Sequence, residues 1–326
     1  MTGIHRTTEK NLMVFSGRAH PELAEEVASE LGISLVPTQA YQFANSETYI
    51  RFDESVRGCD AFVIQSHVAP VNEWIMEHLI MVDALKRGSA KRITVVLPFY
   101  GYARQDKKHR GREPISARLV ADLFKTAGAD RLIAVDLHAD QIQGFFDGPV
   151  DHLMALPILA DYVKKQYPRQ KMAVVSPDAG RIKVAERWSA RLGGAPLAFI
   201  HKSRRIDVAN EVVANRVVGE VAGKICILTD DMIDTGGTIV KAAEALMKDG
   251  AAGVVIAATH AILSDPAVDR LKNSSAMEVV VTNTLPVPAD KQFDKLTTLS
   301  IAPLIARAIR EVFEDGSVTS MFDGHA

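Results

Sequence analysis

Cysteine is scarce: the 326 residues hold two, Cys59 and Cys226, and no Cys-x-x-Cys pair. A disulfide framework is excluded as the basis of the fold, and a reducing compartment, the cytoplasm, is the simplest reading. Charge of one sign is missing as well. The 38 Lys and Arg nearly cancel the 40 Asp and Glu, leaving a formal net charge of −2. A chain without surplus cations cannot neutralise a run of nucleic-acid phosphates, so no nucleic-acid partner is expected and any anion must be held by a local site. Long apolar runs are absent. The start, MTGIHRTTEK, has no apolar signal core, and the longest apolar-rich stretch, Ala251–Leu263, is interrupted by Thr259 and His260. It is too short to span a bilayer, and no membrane partner is expected. Core-forming residues are plentiful: 47% of the chain is hydrophobic and 24% charged, which excludes disorder as the main state, and the length suggests two domains.

Short β-branched runs alternate with helical spacing. Strands are expected at Ala61–Gln65, Ile93–Leu97, Leu132–Asp136, Met172–Ser176, Ile225–Thr229, Gly253–Ala258 and Glu278–Thr282. Helices are expected over Ile115–Ala127, Arg181–Leu192 and Ile239–Lys248, with Gly128, Gly193 and Gly250 at their ends. Near-continuous apolar strands alternating with helices predict an α/β fold built on parallel sheets covered on both faces. The halves resemble one another: Cys59–Ser66 matches Gly223–Asp230, and Gly88–Pro98 matches Gly250–Thr259. Two duplicated α/β domains are therefore expected, with a loose tail over residues 1–9, a first domain over 10–155 and a second over 156–326.

The copies differ at one place. The second-half strand runs into Asp230-Asp231-Met232-Ile233-Asp234-Thr235-Gly236-Gly237-Thr238, whereas the first-half strand runs into Ser66-His67-Val68-Ala69-Pro70. Paired glycines at the start of a helix let backbone N–H groups converge on an anion, and the hydroxyls of Thr235 and Thr238 add donors. Carboxylates just before a phosphate cradle would repel it unless they accept hydrogen bonds from sugar hydroxyls or engage a cation. Phosphate donors, a spacer and paired acceptors together describe a pentose phosphate. The competing reading is a tight turn with Asp as a helix cap.

The segment TDDMIDTGGT resembles the ribose-phosphate loop of the type I phosphoribosyltransferase fold. Tyr102–Lys108 (YARQDKK), Asp136–Leu153 (DLHADQIQGFFDGPVDHL), Val174–Gly180 (VVSPDAG), Phe199–Arg204 (FIHKSR) and Ser317–Phe322 (SVTSMF) narrow this to the ribose-phosphate pyrophosphokinases, also called phosphoribosyl pyrophosphate synthetases, of the phosphate-activated class. The resemblance runs from about residue 10 to 322. It implies two tandem duplicated type I phosphoribosyltransferase-like domains, the first with a degenerate phosphate loop. It also implies transfer of the β,γ-diphosphoryl group of ATP to the C1 hydroxyl of ribose 5-phosphate. That reaction gives phosphoribosyl pyrophosphate and AMP and feeds purine, pyrimidine, histidine, tryptophan and NAD synthesis.

By this resemblance Asp230, Asp231 and Asp234–Thr238 bind ribose 5-phosphate, and Lys202 and Arg204 form the catalytic pair, Arg204 also touching the sugar phosphate. Read alone, the polar stretch Lys202–Asn210 is a charged surface run or a loop that closes over substrates. Phe43, Asn45, Ser46 and Glu47, with Arg104 and Gln105, would hold ATP; no GxxxxGK[ST] loop or protein-kinase motif set is present, so ATP contacts must be scattered. Lys107, Lys108 and Arg110 read as a solvated basic run. Strand periodicity places Asp136 and His138 on one face at a strand end. On chemistry alone His138 reads as a structural histidine, because Mg²⁺ prefers oxygen ligands. The resemblance instead implies Mg²⁺ at His138 and Asp178, with Asp136 and the stretch through Asp147 and Asp151 less firmly tied to the metal. One ion would be held by the protein and a second would arrive with ATP. Ser55, Arg57, Arg112, Ser317 and Thr319 resemble a regulatory site for inorganic phosphate, and the family assembles as hexamers built from dimers. Competing readings are a phosphoribosyltransferase, a non-catalytic synthetase-associated regulatory subunit, and a ligand-sensing DNA-binding regulator. The first should lack the Phe43, Arg104 and Lys202 segments, the second should have lost metal or catalytic positions, and the third needs a basic recognition segment.

Overall fold

The structure, a computed structural model, describes residues 10–203 and 214–322. The chain divides into two compact units, one holding the described residues up to Leu153 together with those from Ala302 onward, the other running Met154–Ile301.

In the first unit the order is β1 (Leu12–Ser16), α1 (Pro21–Leu31), β2 (Thr38–Gln42), β3 (Thr48–Phe52), β4 (Asp60–Ile64), α2 (Val71–Arg87), β5 (Arg92–Leu97), α3 (Ser116–Ala127), β6 (Arg131–Val135) and β7 (Val150–Leu153). The sheet order is β1-β4-β5-β6-β7, all parallel, while β2 and β3 form a separate antiparallel hairpin. Every residue of β4 is buried, as expected of a central strand with helices on both faces.

The second unit holds α4 (Leu156–Gln166), β8 (Met172–Ser176), α5 (Ile182–Arg191), β9 (Leu197–Ser203), β10 (Ala214–Val218), β11 (Ile225–Ile233), α6 (Gly237–Lys248), β12 (Gly253–Ala261), α7 (Ala267–Lys272), β13 (Glu278–Thr282) and β14 (Leu296–Leu299). Its sheet runs β10-β9-β8-β11-β12-β13-β14, antiparallel only where β10 joins β9. The five-strand order β8-β11-β12-β13-β14 repeats β1-β4-β5-β6-β7 position for position, and the two sequence-matched stretches fall on β4 with β11 and on β5 with β12. The insert after the first strand differs: in one copy it folds away as a hairpin, in the other it extends the sheet.

Two elements depart from expectation. The strand expected to end at Thr229 continues to Ile233, because pairing with β12 carries on through Asp230, Met232 and Ile233. The last helix, α8 (Ala302–Phe313), was expected in the second domain but belongs to the first unit, where it packs on α1 and β7. Its buried Ile305, Ala306 and Ile309 lie on one face, and burying each isoleucine contributes roughly 1.5–3 kcal/mol. Polar ties complete the attachment. Arg310 Nη2 donates to the Glu30 carbonyl at the end of α1 (3.3 Å), Lys10 Nζ donates to the Phe313 carbonyl (2.8 Å), and Asp315 pairs with Lys10 and with Arg92 (3.0 Å). In the second unit α4 packs on α5, β12 and β13. The first unit has no described helix ahead of β1, and α8 supplies its additional cover from the far end of the sequence.

Candidate active site

The loop after β11 is the candidate anion site. Helix α6 begins at Gly237 behind Gly236, whose φ of 72° and ψ of −8° are left-handed and which has no side chain of its own to cap the helix. The amides and positive dipole of a helix start suit a phosphoryl group. Thr235 and Thr238 are exposed, and Asp234 is half-buried.

Two arginines that sequence reasoning did not assign flank this loop. Arg270 on α7 donates from Nη1 to the Thr235 carbonyl at 2.9 Å, and the same nitrogen would lie 3.2 Å from a Cβ placed on Gly237. Arg181, ending a short 3₁₀ turn (Ala179–Arg181) after β8, reaches Asp230 Oδ1 at 3.3 Å and Asp231 Oδ1 at 2.9 Å. Burial, and next the charge of Asp231, push the Asp230 carboxyl upward, while Arg181 pulls it back down. Neither arginine lies in the loop motif, so the only sequence signal was the positive charge beside a strand end and beside Pro266.

Asp178 caps the 3₁₀ turn, its Oδ1 accepting from the Gly180 amide at 2.9 Å. Lys202 and Ser203 are the last residues of β9, paired with Asn215 and Ala214, so these two residues are strand where a loop was expected. Because β9, β8 and β11 are parallel, the end of β9, Asp178 and the acidic pair share the carboxyl edge of the sheet, where open α/β sheets bind ligands. Arg204 and the rest of the stretch to Asn210 lie outside the described residues.

In the first unit the corresponding strand end is filled by its own side chains. Glu77, fully buried, accepts from Arg18 Nε (2.6 Å), the Arg18 amide (2.8 Å) and Gln65 Nε2 (2.9 Å), and Gln65 Oε1 accepts from the Ala19 amide (3.0 Å). The expectation for Asp136 and His138 is corrected. Strand β6 ends at Val135, Asp136 has φ 37°, and His138 lies beyond the strand, so a two-residue periodicity does not apply. This segment is held instead by the Leu137 amide donating to His152 Nε2 at 2.9 Å. Asp151 is ion-paired with Arg131 at 2.5 Å, which accounts for it structurally.

Phe43, Asn45, Ser46 and Glu47 form the exposed turn between β2 and β3. Phe43 meets Tyr41 and Tyr49 edge-on at 5.5 and 6.0 Å, while Asn45 Oδ1 accepts from the Glu47 amide. Gln105 Oε1 accepts from Ser116 Oγ at 2.6 Å, and Arg104 is exposed. Ser55, Arg57, Arg112, Ser317 and Thr319 are exposed in the first unit. Among the described residues, no group of three or more His, Cys, Asp or Glu side chains forms a metal cage, and no helix is long and apolar enough to cross a membrane.

A twice-built parallel α/β framework, with one acidic strand end leading into a Gly-Gly-Thr helix start, defines a type I phosphoribosyltransferase-like protein. Comparison with known proteins narrows the class. Residues 12–128 match the N-terminal domain of ribose phosphate pyrophosphokinase, and residues 199–323 match the phosphoribosyl synthetase-associated domain. The ribose-phosphate pyrophosphokinase of Streptomyces coelicolor is 68% identical over 323 residues, 99% of each chain, and that of Mycobacterium tuberculosis 66% over 317 residues, 97% of each. The crystal structure of phosphoribosylpyrophosphate synthetase from Mycobacterium smegmatis superimposes with a TM-score of 0.90 at 66% identity, covering 94% of this chain and all of that one. The chain belongs to the ribose-phosphate pyrophosphokinase family.

Proposed function

We propose that this chain transfers the β,γ-diphosphoryl group of ATP to the C1 hydroxyl of ribose 5-phosphate, releasing AMP. The observation that carries the reading is the left-handed Gly236 loop beside an arginine-bridged acid pair, in a chain that matches pyrophosphokinases along nearly its whole length. Asp230 and Asp231 accept from the ribose hydroxyls, and the amides and hydroxyls of Asp234–Thr238 hold the 5-phosphate. Phe43 stacks on adenine, Asn45, Ser46 and Glu47 meet its edge and ribose, and Arg104 and Gln105 hold the ATP phosphates. Lys202 and Arg204 stabilise the charge that develops as AMP leaves, by electrostatics rather than covalent catalysis.

Magnesium suits the available donors. It needs one or two protein ligands and takes the rest from water and phosphates, so a cage of three side chains is not required. Asp178, and His138 in the first unit, are assigned to it, with Asp136 adjoining. When bound, the ion neutralises phosphate charge. We assign phosphate activation to Ser55, Arg57, Arg112, Ser317 and Thr319, the working assembly to a hexamer of dimers, and the location to the cytoplasm. Incubation with ATP, Mg²⁺ and ribose 5-phosphate followed by nucleotide analysis tests the reading. AMP in step with phosphoribosyl pyrophosphate is expected; ADP, or no nucleotide turnover, would overturn it.

A further inference from the structure

We infer that Arg181 is a positioning residue of the ribose 5-phosphate site, holding Asp230 and Asp231 together in the arrangement that accepts the sugar hydroxyls. This deepens the proposed function and rests on its reading of the loop.

Consecutive residues of a strand send their side chains to opposite faces. Yet one guanidinium lies within 3.3 Å of Asp230 and 2.9 Å of Asp231. The planar fork of arginine can serve two carboxylates at once, which the point charge of lysine does less well. The acids are also tied to each other, the Asp231 amide donating to Asp230 Oδ1 at 2.9 Å. All three side chains are largely withdrawn from water, at 20% exposure for Arg181, 21% for Asp230 and 7% for Asp231. Two adjoining carboxylates in such a place disfavour double ionisation, and the guanidinium beside them offsets part of that repulsion. A protonated carboxyl accepts hydroxyl hydrogen bonds more weakly than a carboxylate.

The placement of Arg181 is built into the fold. Strand β8 lies beside β11, and the turn after β8 is pinned by Asp178 accepting the Gly180 amide. That turn delivers Arg181 to the end of the neighbouring strand. The first unit repeats the device in another form: Arg18, just after β1, holds the buried Glu77 near the end of β4. There the carboxylate is enclosed with Gln65. In the second unit the acids sit at a strand end that leads straight into the phosphate loop.

The test uses the full-length protein with Arg181→Ala, Arg181→Lys and Asp231→Asn, measuring ribose 5-phosphate binding by calorimetry alongside KM for each substrate and kcat. Losing one charge-assisted contact to the pair corresponds to about a tenfold or greater loss of ribose 5-phosphate affinity. KM for ATP should move less than about twofold, and Arg181→Lys, which keeps the charge but not the fork, should recover part of the loss. Should Arg181→Ala not fold, Arg181→Met, of similar length and no charge, serves the same test. Ribose 5-phosphate binding that is unchanged or tighter without Arg181, while Asp231→Asn weakens it, would overturn this inference alone. Unchanged binding in both would overturn the loop assignment on which it rests. An equal loss for both substrates with no recovery by lysine would reduce Arg181 to a structural part and overturn the inference.

Discussion

Replacing Gly236 by alanine would force an L side chain into φ 72°, ψ −8° at the tightest bend of the phosphate loop. Space is not the obstacle, since the nearest atoms to a Cβ there would be those of Ala267 at 3.6–3.7 Å, ordinary contact. The cost is therefore conformational, roughly 1–2 kcal/mol for a left-handed L residue. The loop can bear that cost and keep its shape, lowering stability by that amount, or relax to negative φ and lose the convergence of its amides. Asparagine tolerates the left-handed region, so Gly236→Asn should recover much of either loss. Gly237→Ala makes the contrast. Its backbone is ordinary, but the new Cβ would press to 3.2 Å on Arg270 Nη1, the movable end of an exposed side chain, at the expense of its bond to Thr235. That is worth about 1 kcal/mol at most. Urea unfolding and ribose 5-phosphate calorimetry on the three variants decide the matter. If Gly236→Ala matched the parent in both, or asparagine did no better than alanine, the left-handed cradle would not be what binds the phosphate.

Asp230→Asn should separate stability from function. The carboxyl is held above its ordinary range, so its stabilising contribution is full below about pH 4 and is lost as pH rises through the folded value. Asparagine mimics the protonated form; urea midpoints should show unchanged or raised stability at pH 8, while KM for ribose 5-phosphate rises, and a less stable variant at that pH would refute the burial argument. The first unit contains an acid-sensitive pair. Gly101 donates its amide to His67 Nδ1 (3.1 Å), His67 Nε2 meets His78 Nδ1 (3.4 Å), and His78 Nε2 meets the Val63 carbonyl (3.2 Å). Burial drives both histidines down, His78 to about 3, so stability present above about pH 6.5 should fall on acidification by about 1.4 kcal/mol per pH unit for each. His78→Gln should flatten that slope in urea melts between pH 7 and 5, and an unaltered slope would exclude the pair as its source. Lys202→Ala should lower kcat at least about 10²-fold by analogy with losing a preorganised charge-stabilising donor; turnover within tenfold of the parent would remove Lys202 from that role.

Much of the architecture is readable along the chain because the signals are local. Met172–Ser176 and Glu278–Thr282 are expected and observed with identical ends, since each is an apolar run bounded by polar residues. The continuation of β11 through Asp230 and Asp231 is not readable, because acidic residues look like a strand's end until a neighbour pairs with them. His138 fails for a related reason: periodicity assumes a strand, and β6 stops before Asp136 turns to φ 37°.

By itself the sequence determines a parallel α/β chain built twice and a Gly-Gly-Thr bend after an acidic strand end, because contiguous residues encode both. Tertiary structure alone brings Arg181 onto Asp230 and Asp231, sets Arg270 against the bend and fills the first unit's strand end with Arg18, Gln65 and Glu77. It also returns α8 to cover α1 from 280 residues away along the chain. These partners come from different strands and helices, and strand order and helix packing decide which of them meet.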